Sequence, residues 1–158
     1  MRVAVAGAGK VGTYIADHLQ GAGHDVVVLE QNAAVVDRQR AFYPEISWAC
    51  GDACEVGFLE RTGLQGADVF VAATGDDEDN LVSSLLAKQE FAVPRVIARV
   101  NHPDNEWLFN ETWGVDLSVS TPHLLTSLVE EAVSVGSLVR LFQFDRAGVR
   151  LSEVTLAA

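Results

Sequence analysis

The stretch Val3-Ala4-Val5-Ala6-Gly7-Ala8-Gly9-Lys10-Val11-Gly12 decides how this chain is read. Four apolar residues of a short strand run directly into glycines spaced G-x-G-x-x-G, and Val11, Ile15 and Leu19 then fall on one face of a helix. Between a strand and a helix, this spacing indicates a dinucleotide-binding βαβ unit. Gly7 permits the tight turn, Gly9 lets backbone approach a pyrophosphate, and Gly12 lets helix and strand pack closely. The amides at the helix start favour an anion, and Lys10 adds a screened positive charge.

A second strand, Val26-Val27-Val28-Leu29-Glu30, ends in an acid about 20 residues beyond the glycines. A carboxylate there accepts hydrogen bonds from both ribose hydroxyls and repels a 2'-phosphate. NAD or an adenosine nucleotide is therefore expected over NADP, with Arg38 and Arg40 downstream as the residues able to soften that preference.

Further apolar runs follow at 46–50, 69–73, 96–100 and 115–119, separated by segments of helical spacing such as Leu81, Leu85 and Lys88 with Ala87. Runs this uniformly apolar suit strands buried on both faces of a parallel sheet. Right-handed crossovers then give an α/β, Rossmann-like, doubly wound sheet of six parallel strands in the order 3-2-1-4-5-6. Thr121-Pro122 starts a helix in which Leu124, Leu125, Leu128, Val129, Ala132, Val133 and Val135 leave only a narrow polar stripe. Such a helix is deeply buried, is capped by a further domain, or packs on another subunit, and the last reading is favoured. Two strand-like runs, 137–144 and 149–156, flank a turn at Asp145-Arg146-Ala147-Gly148. The expected division is a nucleotide-binding domain over 1–120, a crossover and dimerisation helix over 121–136, and a linker or truncated C-terminal domain over 137–158.

With 158 residues, 49% of them hydrophobic, the chain can bury one sizeable core. Its net charge of -11 disfavours nucleic acid and anionic lipid as partners. It contains neither a signal-peptide pattern nor an apolar run of the roughly 18 residues that a membrane helix needs, so a cytoplasmic location is expected. Cys50 and Cys54 have no second ligand cluster, so they are read as reduced structural thiols and Cys50, ending an apolar run, is expected to be buried. No metal site is expected.

Several other positions carry chemistry. Gly51-Asp52-Ala53 follows the third strand, where Asp52 can accept a hydrogen bond from an exocyclic amine. Ala73-Thr74-Gly75 ends the fourth strand, at the edge where ligands bind in such sheets. The acids Asp76, Asp77, Glu78 and Asp79 ahead of Asn80 are read as caps of the next helix, because adjacent acids at a helix start rarely converge on a cation. Arg99 is a candidate phosphate contact. His18, His24, His102 and His123 stand in no pattern that ties them to a substrate, so no catalytic residue is assigned.

In order and spacing, Gly7 to Gly12, Glu30, Gly51-Asp52-Ala53, the run from Ala73 to Asn80, Ala98-Arg99-Val100 and Gly114-Val115-Asp116 leading to Pro122 resemble the regulator of K+ conductance domain, also called the KTN or TrkA-N domain. The resemblance covers nearly the whole chain. It implies a cytoplasmic gating subunit, peripheral to the inner face of the membrane, that binds a potassium-translocating protein and changes conformation with NAD(H) or ATP/ADP. It also implies a homodimer or higher oligomer, an octameric ring in the full assembly, with the helix after Pro122 crossing between paired domains. By position Gly7, Gly9, Lys10 and Val11 would meet phosphates, Glu30 the ribose, Asp52 and Ala53 the adenine, and Thr74, Asn80 and Arg99 the remaining edge, with Gly12, Gln31, Ala73 and Gly75 also counted among the cofactor-binding residues. Two departures stand out. His123 replaces the Glu that often follows the Pro, which counts against a cation site between subunits and leaves that question open, and the usual C-terminal regulatory domain is missing, which is read as truncation. The rival to a sensor is the cofactor domain of an NAD-dependent oxidoreductase.

Overall fold

The computed structural model describes residues 1–133 and the strands Leu138–Phe144 and Val149–Val154. Val135 of the apolar run, Ser137, the 145–148 turn and the end of the last strand-like run at 155–156 lie outside the described residues.

Six strands form one parallel sheet: β1 (Arg2–Ala6), β2 (Asp25–Glu30), β3 (Ser47–Cys50), β4 (Val69–Ala72), β5 (Arg95–Val100) and β6 (Leu117–Ser120). Their order is β3-β2-β1-β4-β5-β6, the doubly wound arrangement expected from the alternating pattern. The crossovers include α1 (Lys10–Gly21), α2 (Ala33–Phe42), α3 (Val56–Arg61) and α4 (Asp77–Gln89). Under α1 and α2, Val3, Val5, Ala16, Val28, Val36 and Trp48 form one core. Under α3 and α4, Ala4, Leu29, Leu59, Phe70, Leu81 and Val96 form the other. Each large side chain so buried contributes about 1.5–3 kcal/mol, which explains why the strands read as unbroken apolar runs.

The buried face of α1 differs from its apolar spacing. Ile15 and Leu19 pack against the core, but Val11 is 41% exposed and the fully buried positions are Gly12, Thr13 and Ala16. The reason is proximity: a Cβ on Gly12 would lie 2.0 Å from the Gly7 carbonyl oxygen, so only small residues fit where the helix meets the glycine turn. Cys50 also departs from expectation. It is exposed, because β3 is an edge strand, while Cys54 is half-buried and both thiols are free.

The sixth strand starts two residues later than its apolar run. The Val115 amide closes a turn on the Asn110 carbonyl, and the Asp116 carboxylate accepts hydrogen bonds from the Lys88 ammonium and the Val96 amide, each at 2.7 Å. After β6 comes α5 (Thr121–Val133), and the strands β7 (Leu138–Phe144) and β8 (Val149–Val154) pair antiparallel. Among the described residues no helix is long and apolar enough to cross a membrane, and no three His, Cys, Asp or Glu side chains group to hold a metal ion.

Candidate functional site

Strands β2 and β4 flank β1, so the chain leaves β1 in one direction toward β3 and returns on its other side. Loops at that switch point diverge, and here they leave a cleft of about 660 Å³ at the carboxyl ends of the strands.

The β1–α1 turn forms one wall, with Gly7, Gly9, Lys10 and Val11 on the cleft. Gly7 adopts φ 100° and donates its amide to the Leu29 carbonyl at 2.8 Å. A Cβ there would lie 2.9 Å from the Ala73 carbonyl oxygen, so β1 and β4 close on the turn only around a glycine. Gly9 is different. It caps α1, and a Cβ built on it meets nothing within 4 Å, so its bare backbone faces open space at a helix N-terminus. That geometry fits an anion approaching the amides, as a pyrophosphate does.

Glu30 ends β2 beside this turn. Its Oε2 accepts from the Ala8 amide at 3.0 Å and its Oε1 from the Asn32 amide at 2.9 Å, which fixes the carboxylate at the cleft next to Gln31. Each oxygen retains a lone pair for a ribose hydroxyl. Arg40 is turned away and donates to the Trp48 carbonyl at 3.2 Å, and Arg38 lines a separate groove with Tyr14 and Tyr43.

The loop after β3 supplies Asp52 and Ala53, and the loop after β4 supplies Ala73, Thr74 and Gly75. Arg99, from β5, lies on the same cleft, and its buried Nε has no hydrogen-bond partner among the described residues. Two expected site residues do not reach the wall. Gly12 packs behind the turn, and Asn80 is fully buried. The Asn80 Oδ1 accepts from the Thr74 amide at 2.9 Å and hydroxyl at 2.8 Å, and its Nδ2 donates to the Arg99 carbonyl at 3.0 Å. Asn80 therefore ties the ends of β4 and β5 together and acts on the cleft only through Thr74 and Arg99.

Cleft residues that sequence reasoning did not place there are Leu29, Cys54, Asp76 and Asp79. The acid run after β4 also divides its work in a way that the capping reading missed. Asp76 is the cap, accepting from the Asp79 amide at 3.1 Å. Asp77, only 2% exposed, points the other way and accepts from the amides of Asn101 (2.7 Å) and His102 (3.0 Å) and the side chains of Asn101 (3.0 Å) and Asn105 (2.9 Å). Burial alone would raise its pKa, but these donors outweigh it and hold the Asp77 carboxyl below the usual range. Asp79 is held above that range by burial and by the charges of Asp76 and Asp52. Burial, with the same Asp79 and Asp52 charges, pushes the Cys54 thiol up to about 12.

None of the four histidines lines the cleft. His18 stacks on Tyr14, and His123 pairs with Glu106 of the turn after β5.

Fold and cleft together define a Rossmann-type, doubly wound α/β domain. Residues 3–121 match the TrkA-N domain, and the chain belongs to that family. Over 156 residues it is 56% identical to the Trk system potassium uptake protein TrkA of Mycobacterium tuberculosis (strain ATCC 25618 / H37Rv), an alignment covering 99% of this chain and 70% of that protein. The solved structure of the GsuK channel bound to NAD superposes with a TM-score of 0.78 at 17% identity, over 89% of this chain and 25% of that one. GsuK bound to ADP gives a TM-score of 0.67 at 22% identity, over 83% and 34% of the two chains.

Proposed function

We propose that this chain is a nucleotide-responsive regulatory domain of a potassium uptake system, working on the cytoplasmic side of the membrane on a potassium-translocating subunit. The observation that carries the reading is the pairing of open backbone at Gly9 with the fixed carboxylate of Glu30 across one cleft. A pyrophosphate on the first and a ribose on the second describe an adenine nucleotide, NAD(H) or ATP/ADP. Arg99 brings its guanidinium group to the same cleft. Gly7 and Gly9 with Lys10 and Val11 take the phosphates, Glu30 and Gln31 the ribose, and Asp52 with Ala53 the base. The relative's name places it in potassium uptake, and the two GsuK structures carry NAD and ADP. In this reading the bound ligand is a signal that biases two conformations of an assembly.

NAD+, NADH, ATP and ADP, each added to one preparation at about 100 times its Kd, are expected to raise stability by about 2.7 kcal/mol, read as a thermal shift. No hydride transfer should accompany binding. Lack of a shift with all four, or steady turnover of NADH with a substrate, overturns the reading.

In this proposal residues 1–120 bind the nucleotide, 121–136 pair two domains, and 137–158 are a linker or part of a C-terminal domain. On α5, Leu125, Val129 and Val133 are 59%, 61% and 75% exposed, an apolar stripe suited to the same helix of a second copy. A solution mass twice that of the monomer is expected, and Leu125→Glu with Val129→Glu should halve it. A wild-type protein that stays monomeric at high concentration refutes the pairing.

A further inference from the structure

We infer that a groove beside the edge strand β3 is a second ligand site, taking a small monocarboxylate with a flat apolar body. It shares no lining residue with the nucleotide cleft.

The groove exists because α3 is short. Its six residues span about 9 Å, so the helix covers only part of the sheet face next to β3 before the chain turns at Gly63. On that face Val27 and Ala49 pack against the core yet stay partly exposed. They floor a hollow of about 420 Å³, a volume that suits a small molecule. Phe58 and Arg61 of α3 line it, as do Arg2 and Asp25 at the amino ends of β1 and β2.

Charge decides the class of ligand. Arg2 is engaged: its Nη2 donates to the Thr62 carbonyl at 2.9 Å, and its Nε lies 3.8 Å from the Asp25 carboxylate. Arg61 has no acidic partner among the described residues, and its guanidinium sits 6.0 Å from the centre of the Phe58 ring, a cation–π contact that holds it over the ring. Arg2 and Asp25 cancel, so the groove carries one net positive charge, on Arg61. A carboxylate matches the guanidinium fork, and a dianion brings more charge than the groove balances. The Val27 and Ala49 side chains offer a flat body apolar surface and no polar group.

Phe58 connects this groove to the nucleotide cleft. A Cβ on Gly51 would lie 2.4 Å from the Phe58 Cδ2, so the ring packs directly against the backbone that continues into Asp52 and Ala53. A ligand that fixes Arg61 and Phe58 restrains that loop, and its binding is linked reciprocally to that of the nucleotide. The linkage rests on the nucleotide reading above; occupancy of the groove does not.

The test is a chemical-shift titration of the full chain with benzoate, benzamide and acetate, read at the Val27 and Ala49 amides. Benzoate should bind with a Kd of about 1 mM. Benzamide, with the ring and no charge, and acetate, with the charge and no ring, should each bind at least about 10-fold more weakly. Arg61→Gln should weaken benzoate about 10-fold and leave benzamide unchanged, a selectivity that a merely structural role would not produce. Arg61 is exposed, so this variant should fold, which a thermal melt checks. Saturating benzoate should also change the ADP Kd by about 5-fold. Benzoate that binds no better than benzamide, or equally well to Arg61→Gln, overturns the site. So do shifts at these amides that follow protein concentration alone, which assign the groove to a second copy of the chain. Bound benzoate with an unchanged ADP Kd overturns the linkage, and a wild type that binds benzoate but no ADP overturns the nucleotide reading while supporting the site.

Discussion

Gly9→Trp is expected to leave the fold intact and to weaken adenine-nucleotide binding by at least about 100-fold, measured by titration calorimetry beside a thermal melt. The argument is spatial. A Cβ at position 9 meets no protein atom within 4 Å, so the backbone there accepts a side chain, which enters the space in front of the α1 amides where a pyrophosphate would sit. Gly12→Ala provides the contrast: its Cβ would fall 2.0 Å from the Gly7 carbonyl oxygen, which must move and take the turn with it. That overpacking should cost about 3 kcal/mol or more and appear as a lowered melting temperature before any ligand is added. If Gly9→Trp binds as tightly as wild type, the phosphates do not lie at this turn.

Asp77→Ala should destabilise the domain by about 3–5 kcal/mol in urea denaturation at pH 7, because it strands the Asn101 and His102 amides and two asparagine side chains around a buried space. Asp77→Asn, which keeps an acceptor oxygen, should lose less. The pH dependence has a definite sign. Asp77 has a lower pKa folded than its ordinary 3.8, so its stabilising contribution is present above that value and is lost as pH falls through the depressed pKa. The gap between wild type and Asp77→Asn should therefore be full at neutral pH and close in strong acid. A gap that persists unchanged at pH 2 would show that the charge of Asp77 is not what matters.

The six strands and their order were legible because burial on both sheet faces imposes uniform apolar runs that a sequence displays directly. The placement of the glycine turn and Glu30 at one cleft was legible because it follows from local spacing. Asp77 and Asn80 were not. Each looks like a polar residue at a helix start, and only the placement of β5 beside α4 turns one toward Asn101 and the other between Thr74 and Arg99. Cys54 and Asp79 are 25 residues apart and meet only because α3 and α4 share one face of the sheet. The α1 face failed for a related reason: apolar spacing ranks Val11 highly, but close approach at Gly12 gives the contact to smaller neighbours.

The bridge that Glu30 makes between the Ala8 and Asn32 amides has a kinetic consequence. A free glutamate carries up to about 1.5–2 kcal/mol of rotamer entropy, and here that freedom is surrendered during folding instead of at ligand arrival. The same clip holds the glycine turn at Ala8 in register with β2. If the cleft takes a nucleotide as proposed, association waits on diffusion and orientation rather than on loop ordering, so occupancy can follow a changing nucleotide pool as fast as bound ligand dissociates.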